Sequence, residues 1–155
     1  MEDRERRTFM GRICVLAFLT AGVSAAAEDL MYKAALTASL NKAVPGILST
    51  FDSETGHFGS GIWIVTDQNV MFPLAVAYAR EAEGNTYYKS AELLDVIMKA
   101  GDALIEDADA NGQWVFRKKD GSTWGMIHMP WTYSRWVRAY ALIKDDMPPE
   151  RRARW

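Results

Sequence analysis

The chain has 155 residues, 18 Lys and Arg against 20 Asp and Glu, a net charge of −2, one cysteine and six tryptophans. That length suits one domain, and a slightly acidic chain without a basic stripe excludes a nucleic-acid interface. A single cysteine excludes an internal disulfide and a Cys-ligated zinc site.

The first 27 residues read as an export signal. Arg4, Arg6, Arg7 and Arg12 form a basic start, Ile13 to Val23 an uncharged apolar run, and Ala25-Ala26-Ala27 a small-residue cleavage site before Glu28. This order of basic, apolar and small residues defines a secretory signal peptide, and the run is too short to span a membrane. Arg6-Arg7-Thr8-Phe9-Met10 resembles a twin-arginine signal. The expected location is therefore periplasmic or secreted, by the Sec or the twin-arginine route, with no membrane association after cleavage. Cys14 leaves with the signal. Four basic and three acidic residues leave with it too, so the mature chain carries a net charge of −3.

From residue 28 onward the periodicity predicts helical hairpins. A helix is expected over Asp29–Leu48, with Leu30, Ala34, Leu40 and Val44 on one face and Pro45-Gly46 near its end. Phe58–Val65 is expected to contain a short extended piece. A second helix is expected over Asp67–Arg80, with Asp67 as N-cap and Gly84-Asn85 closing the connection. Thr86–Ala108 gives a third, where Leu93, Leu94, Ile97, Met98, Leu104 and Ile105 make a broad apolar face. Gln113–His128 predicts a β-hairpin, two aromatic runs about Asp120-Gly121. Trp131–Lys144 predicts a fourth helix, and Pro148-Pro149-Glu150 the start of a fifth. The chain stops just inside that fifth helix, without a cap. It is therefore expected to be the front portion of a longer protein.

A weak internal repeat runs through this pattern. Thr55-Gly56-His57-Phe58, Trp63 and Ala77-Tyr78-Ala79 in the first half answer Asn111-Gly112-Gln113-Trp114, Trp124 and Ala139-Tyr140-Ala141 in the second. Helix–loop–helix repeats of this kind stack on one another.

Phe51-Asp52-Ser53-Glu54-Thr55-Gly56-His57-Phe58-Gly59, then Trp63, Asp67-Gln68-Asn69 and Pro73-Leu74-Ala75, resembles the first hairpin of bacterial α/α-toroid carbohydrate-active proteins. These include heparinase- and alginate-lyase-like polysaccharide lyases and six-hairpin glycosidases. Trp131-Thr132-Tyr133-Ser134-Arg135-Trp136 is similar to their second inner helix. The resemblance implies an all-α fold of helical hairpins, an incomplete α/α toroid over residues 28–155, with a small β-hairpin added. The function it implies is degradation of a polysaccharide, with a lyase acting on an acidic glycan by β-elimination as the first expectation. A non-catalytic helical-repeat module binding glycan or a protein partner is an alternative, as is a six-hairpin glycoside hydrolase.

β-Elimination beside a uronate needs a group that neutralises the carboxylate together with an acid and a base. His128, Tyr133 and Arg135 supply those types at a strand–helix junction and are the expected catalytic residues. Gln68 and Asn69, at the start of the second helix, are expected to meet the substrate, a polysaccharide or oligosaccharide. Trp63, Trp124 and Trp131 are expected to offer flat faces to sugar rings. A hydrolase would draw its carboxylate pair from Asp52, Glu54 and Asp67. Asp107-Ala108-Asp109-Ala110-Asn111-Gly112 matches the first half of a calcium loop, but Lys118 holds the position where a bidentate Glu is required. A capped loop is the better account. No metal and no cofactor is expected.

Overall fold

The computed structural model describes residues 31–59, 64–118 and 120–155, with side chains from Thr66 onward in the second stretch. The signal peptide and Trp63 lie outside the described residues. The protein is mostly helical with one small two-stranded antiparallel sheet. Two compact units divide it, Met1–Leu36 and Thr37–Trp155. The described part of the first unit, residues 31–36, is helical, and all six side chains are exposed.

In the second unit, helix α1 (37–48) ends where Pro45 and Gly46 weaken it, and Ser49 and Thr50 close its last turn through bonds to Pro45 and Ile47 carbonyls. Helix α2 (Ile64–Asp67) runs through a 3-10 turn (Gln68–Val70) into helix α3 (Met71–Ala79). Two expectations change here. Asp67 has helical backbone and makes no side-chain capping bond, and Ile64 and Val65, the last two residues of the expected extended piece, are helical. Pro73 explains the 3-10 turn. It has no N–H for the Asn69 carbonyl, and its ring crowds that carbonyl, so the backbone tightens one turn upstream. Asn85 then ends α3 by donating to the carbonyls of Ala77 and Arg80 at 2.8 and 2.6 Å.

Helix α4 (Ala91–Glu106) starts five residues later than the periodicity suggests. Ser90 decides this, since its hydroxyl accepts from the Leu93 N–H at 3.2 Å and satisfies a donor that a longer helix would have bonded internally. Lys89, at φ 53°, reverses the chain just before it. Strands β1 (Val115–Arg117) and β2 (Thr123–Met126) pair antiparallel, Val115 opposite Met126 and Arg117 opposite Thr123, with a bulge between. Helix α5 (Pro130–Ile143) begins with Pro at its first position and continues through a 3-10 turn (Lys144–Asp146) toward helix α6 (Pro149–Arg154).

Helix α3 lies against α5 and α4. The main core collects Val44, Phe58, Met71, Leu74, Ile97 and Ile143, each at 1% exposure or less. A smaller core of Leu104, Ile127 and Trp136 sits where the hairpin meets α4 and α5. No helix among the described residues is long and apolar enough to cross a membrane.

The two repeat loops share one construction. In the first, Asp52 accepts from the Glu54 and Thr55 N–H groups, Gly56 turns through φ +74°, and Phe58 enters the core. In the second, Asp109 accepts from the Asn111 and Gln113 N–H groups, Gly112 turns through φ +69°, and Trp114 packs inward. Both glycines sit in the left-handed region, which costs other residues energy.

Candidate functional site

The junction of β2 with α5 is built from the hairpin outward. At the turn, Gly121 adopts φ +83°, and the Asp120 carboxylate accepts from both the hydroxyl and the N–H of Ser122. Those bonds, the hydroxyl's first, hold the Asp120 carboxyl below the usual range. The ladder continues past β2, where the Ile127 N–H donates to the Trp114 carbonyl at 2.8 Å. Ile127 is 1% exposed and anchors the junction. The Trp114 indole N–H donates to the Leu104 carbonyl at 2.7 Å, one of the last-turn carbonyls of α4 that a helix leaves without a partner.

Three rings close around this anchor. Trp114 and Trp136 have centroids 5.0 Å apart, Trp114 and Tyr133 5.7 Å, and Tyr133 meets Trp136 edge-to-face at 5.5 Å and 89°. The Tyr133 hydroxyl donates to the Ile127 carbonyl. Its oxygen therefore lies beside the peptide bond that begins His128, so the two expected catalytic residues share one corner.

Four other expected residues reach solvent. His128 and Arg135 are exposed, and Trp124 and Trp131 keep 73% and 55% of their surfaces in water. Trp124 leans on Phe116 across the hairpin, centroids 5.5 Å apart. Arg135 stands one helical turn beyond Trp131, and Arg138 almost two turns beyond, all exposed on one side of α5.

Gln68 and Asn69 sit elsewhere. Gln68 is fully buried; its amide oxygen accepts from the Phe58 N–H, and its nitrogen donates to the carbonyls of Gly56 and Ala100 at 2.9 and 2.8 Å. The expectation that Gln68 binds substrate is corrected on that ground, since its amide is consumed by the backbone. Asn69 is half-buried, and its Oδ1 is enclosed without a hydrogen-bond donor. Asp52 is likewise taken up by its loop. The backbone N–H groups of Glu54 and Thr55 hold its carboxyl below the usual range.

A cluster that the sequence did not join lies at the C-terminal end of α4. His57 Nε2 is 2.7 Å from Asp107 Oδ2, and Arg117 approaches the other Asp107 oxygen at 3.6 Å. Asp107 therefore serves these two side chains, which leaves the Asp107–Gly112 stretch as the capped loop. Fifty residues separate His57 from Asp107, and no local pattern links them.

Comparison with known proteins gives this geometry no counterpart: no family model matches the sequence, no curated protein matches it, and no solved structure matches the fold.

Proposed function

We propose that the chain is an exported helical-hairpin protein that binds an acidic polysaccharide through the face bearing Trp124, His128, Trp131 and Arg135. The exposure of Trp124 and Trp131 carries this reading. An indole left mostly in water forgoes the burial that makes tryptophan worth placing in a domain, and an indole face packs against the CH face of a pyranose. Arg135 has no ion-pair partner among the described residues, so its planar guanidinium is open to a uronate carboxylate. The paired repeat loops support reading the two hairpins as the beginning of an α/α array of toroid type.

Calorimetric titration with a uronate oligosaccharide and with a neutral glucan tests the proposal. Trp131→Ala is expected to weaken both interactions about tenfold, the scale of losing a central aromatic contact. Arg135→Ala is expected to weaken the uronate alone and to flatten its salt dependence. Unchanged titrations in both variants would refute the binding face.

A second reading, β-elimination, draws on the shared corner of His128 and the Tyr133 oxygen. It requires an unsaturated, ultraviolet-absorbing product from a uronate polymer, abolished by His128→Ala or Tyr133→Phe. Binding without such a product leaves the chain as a glycan-binding module.

A further inference from the structure

Arg138 is a second cation on the side of α5 that carries Trp131 and Arg135, and all three are exposed. At 3.6 residues per turn, Arg135 lies about 40° to one side of Trp131 around the helix axis and Arg138 about 20° to the other. Along the axis Arg135 stands roughly 6 Å beyond Trp131, and Arg138 roughly 4.5 Å beyond Arg135. The three residues form a short track, with an indole at its head and a guanidinium on each flank.

Charge sets this track apart. Like charges three residues apart on a helix repel, and a neighbouring acid would offset them. None is placed to do so. From Gly121 to Lys144 the sequence has no Asp or Glu, and neither arginine has an ion-pair partner among the described residues. On α6 the arrangement is the reverse, since Arg151 pairs with Asp102 and Arg154 with Glu106. Two adjacent unpaired arginines in a chain of net charge −2 complement a ligand with two anionic groups at matching spacing.

The flanks say how those anions are arranged. An extended β-1,4-linked pyranose ribbon turns over at each unit, so neighbouring carboxylates lie on opposite edges. Laid along α5 with one ring on Trp131, such a ribbon brings its next two carboxylates to opposite flanks, where Arg135 and Arg138 stand. A polymer in which every second sugar is neutral keeps its carboxylates along one edge and meets only one arginine.

We infer that the ligand of this face is a contiguous polyuronate, bound along α5 with one ring on Trp131 and the carboxylates of two neighbouring units on Arg135 and Arg138. The inference rests on the glycan-binding reading and narrows its substrate to polymers with a carboxylate on every unit.

Calorimetric titration of the full chain with a tetrauronate tests it. The charge-matched counterpart is an octasaccharide in which uronate alternates with a neutral sugar. The tetrauronate is expected to bind about tenfold tighter, the scale of one added hydrogen bond between charged groups. Arg135→Ala and Arg138→Ala are each expected to remove that preference. Arg138→Lys keeps the charge without the planar fork and is expected to retain part of it. Arg152→Ala removes the same charge from α6, beside Tyr140 on the opposite side of α5 from Trp131, and is expected to keep the preference whole. Equal affinities for the two probes, or an undiminished preference in Arg138→Ala, overturn the polyuronate assignment. The binding face itself survives that result if Trp131→Ala and Arg135→Ala still weaken the uronate interaction. If neither probe binds the unaltered chain, the face and the assignment fall together.

Discussion

Gln68 bonds to three main-chain groups with one side chain, and one of them, the Ala100 carbonyl inside α4, also accepts from the Leu104 N–H of its own helix. Two belong to the loop that follows α1, the carbonyl of Gly56 and the N–H of Phe58; the third is the carbonyl of Ala100 in the middle of α4. The amide thereby rivets a loop to a helix through the centre of the fold. Gln68→Leu keeps the volume and strips every one of these bonds. The Ala100 carbonyl keeps its helical bond, so two buried groups are left unsatisfied at about 1–3 kcal/mol each, and partial relaxation lowers their sum to an expected loss of about 2–4 kcal/mol in denaturant unfolding. A loss below about 1 kcal/mol, the net worth of one ordinary hydrogen bond, would mean that the backbone finds other partners. In the sequence Gln68 looked like a ligand-binding residue because it is polar and opens a helix. Burial is a property of the fold, and nothing local marks it.

At the scale of elements, the repeat loops allow a matched comparison. Gly56 and Gly112 both require positive φ, yet their surroundings differ. A Cβ on Gly56 would lie 2.8 Å from the Lys99 carbonyl oxygen and 2.9 Å from the Ala103 Cβ, while nothing described lies within 4 Å of one on Gly112. Gly112→Ala should then cost about 1 kcal/mol, the left-handed penalty alone. Gly56→Ala adds overpacking against α4 and should cost about 2–4 kcal/mol. Equal losses in thermal unfolding would contradict the packing of the first loop on α4. The repeat itself was legible in Thr55-Gly56-His57-Phe58 and Asn111-Gly112-Gln113-Trp114, because turn chemistry is local. So were α1, the β-hairpin about Asp120-Gly121 and the body of α5. The start of α4 was not, since apolar periodicity continues back through Tyr87 and Tyr88 while the Ser90 cap ends the helix. The α2 turn was missed because Asp67 suits an N-cap as well as it suits a first helical turn. Of the expected site, His128, Trp131 and Arg135 lie about one strand–helix junction that the sequence already joined, whereas the His57–Asp107 pair depends on tertiary folding across 50 residues.

Across the whole second unit, α6 binds α4 by a division of labour between charge and shape. Arg151 reaches Asp102 at 2.8 Å, and Arg154 reaches Glu106 at 3.0 Å. Asp102 also receives the Trp155 indole N–H. These ion pairs are partly solvated and contribute little individually, so the fit of Trp155 over Gly101, where a Cβ would lie 1.9 Å from the ring, must supply the position that the charges then reinforce. Gly101→Ala separates the two contributions. Alanine improves the helix propensity of α4 by about 1 kcal/mol, yet its methyl occupies the place of the indole. The expected outcome is a protein whose α4 is no less stable but whose α6 has come away: Trp155 emission moves to the red, and the α6 amides exchange faster with solvent. Salt should loosen α6 further in this variant, where the ion pairs act alone, and less in the parent, where the indole still holds. If α6 stays protected in Gly101→Ala, the ion pairs suffice without the glycine, and Trp155 is a passenger on α4 instead of its anchor.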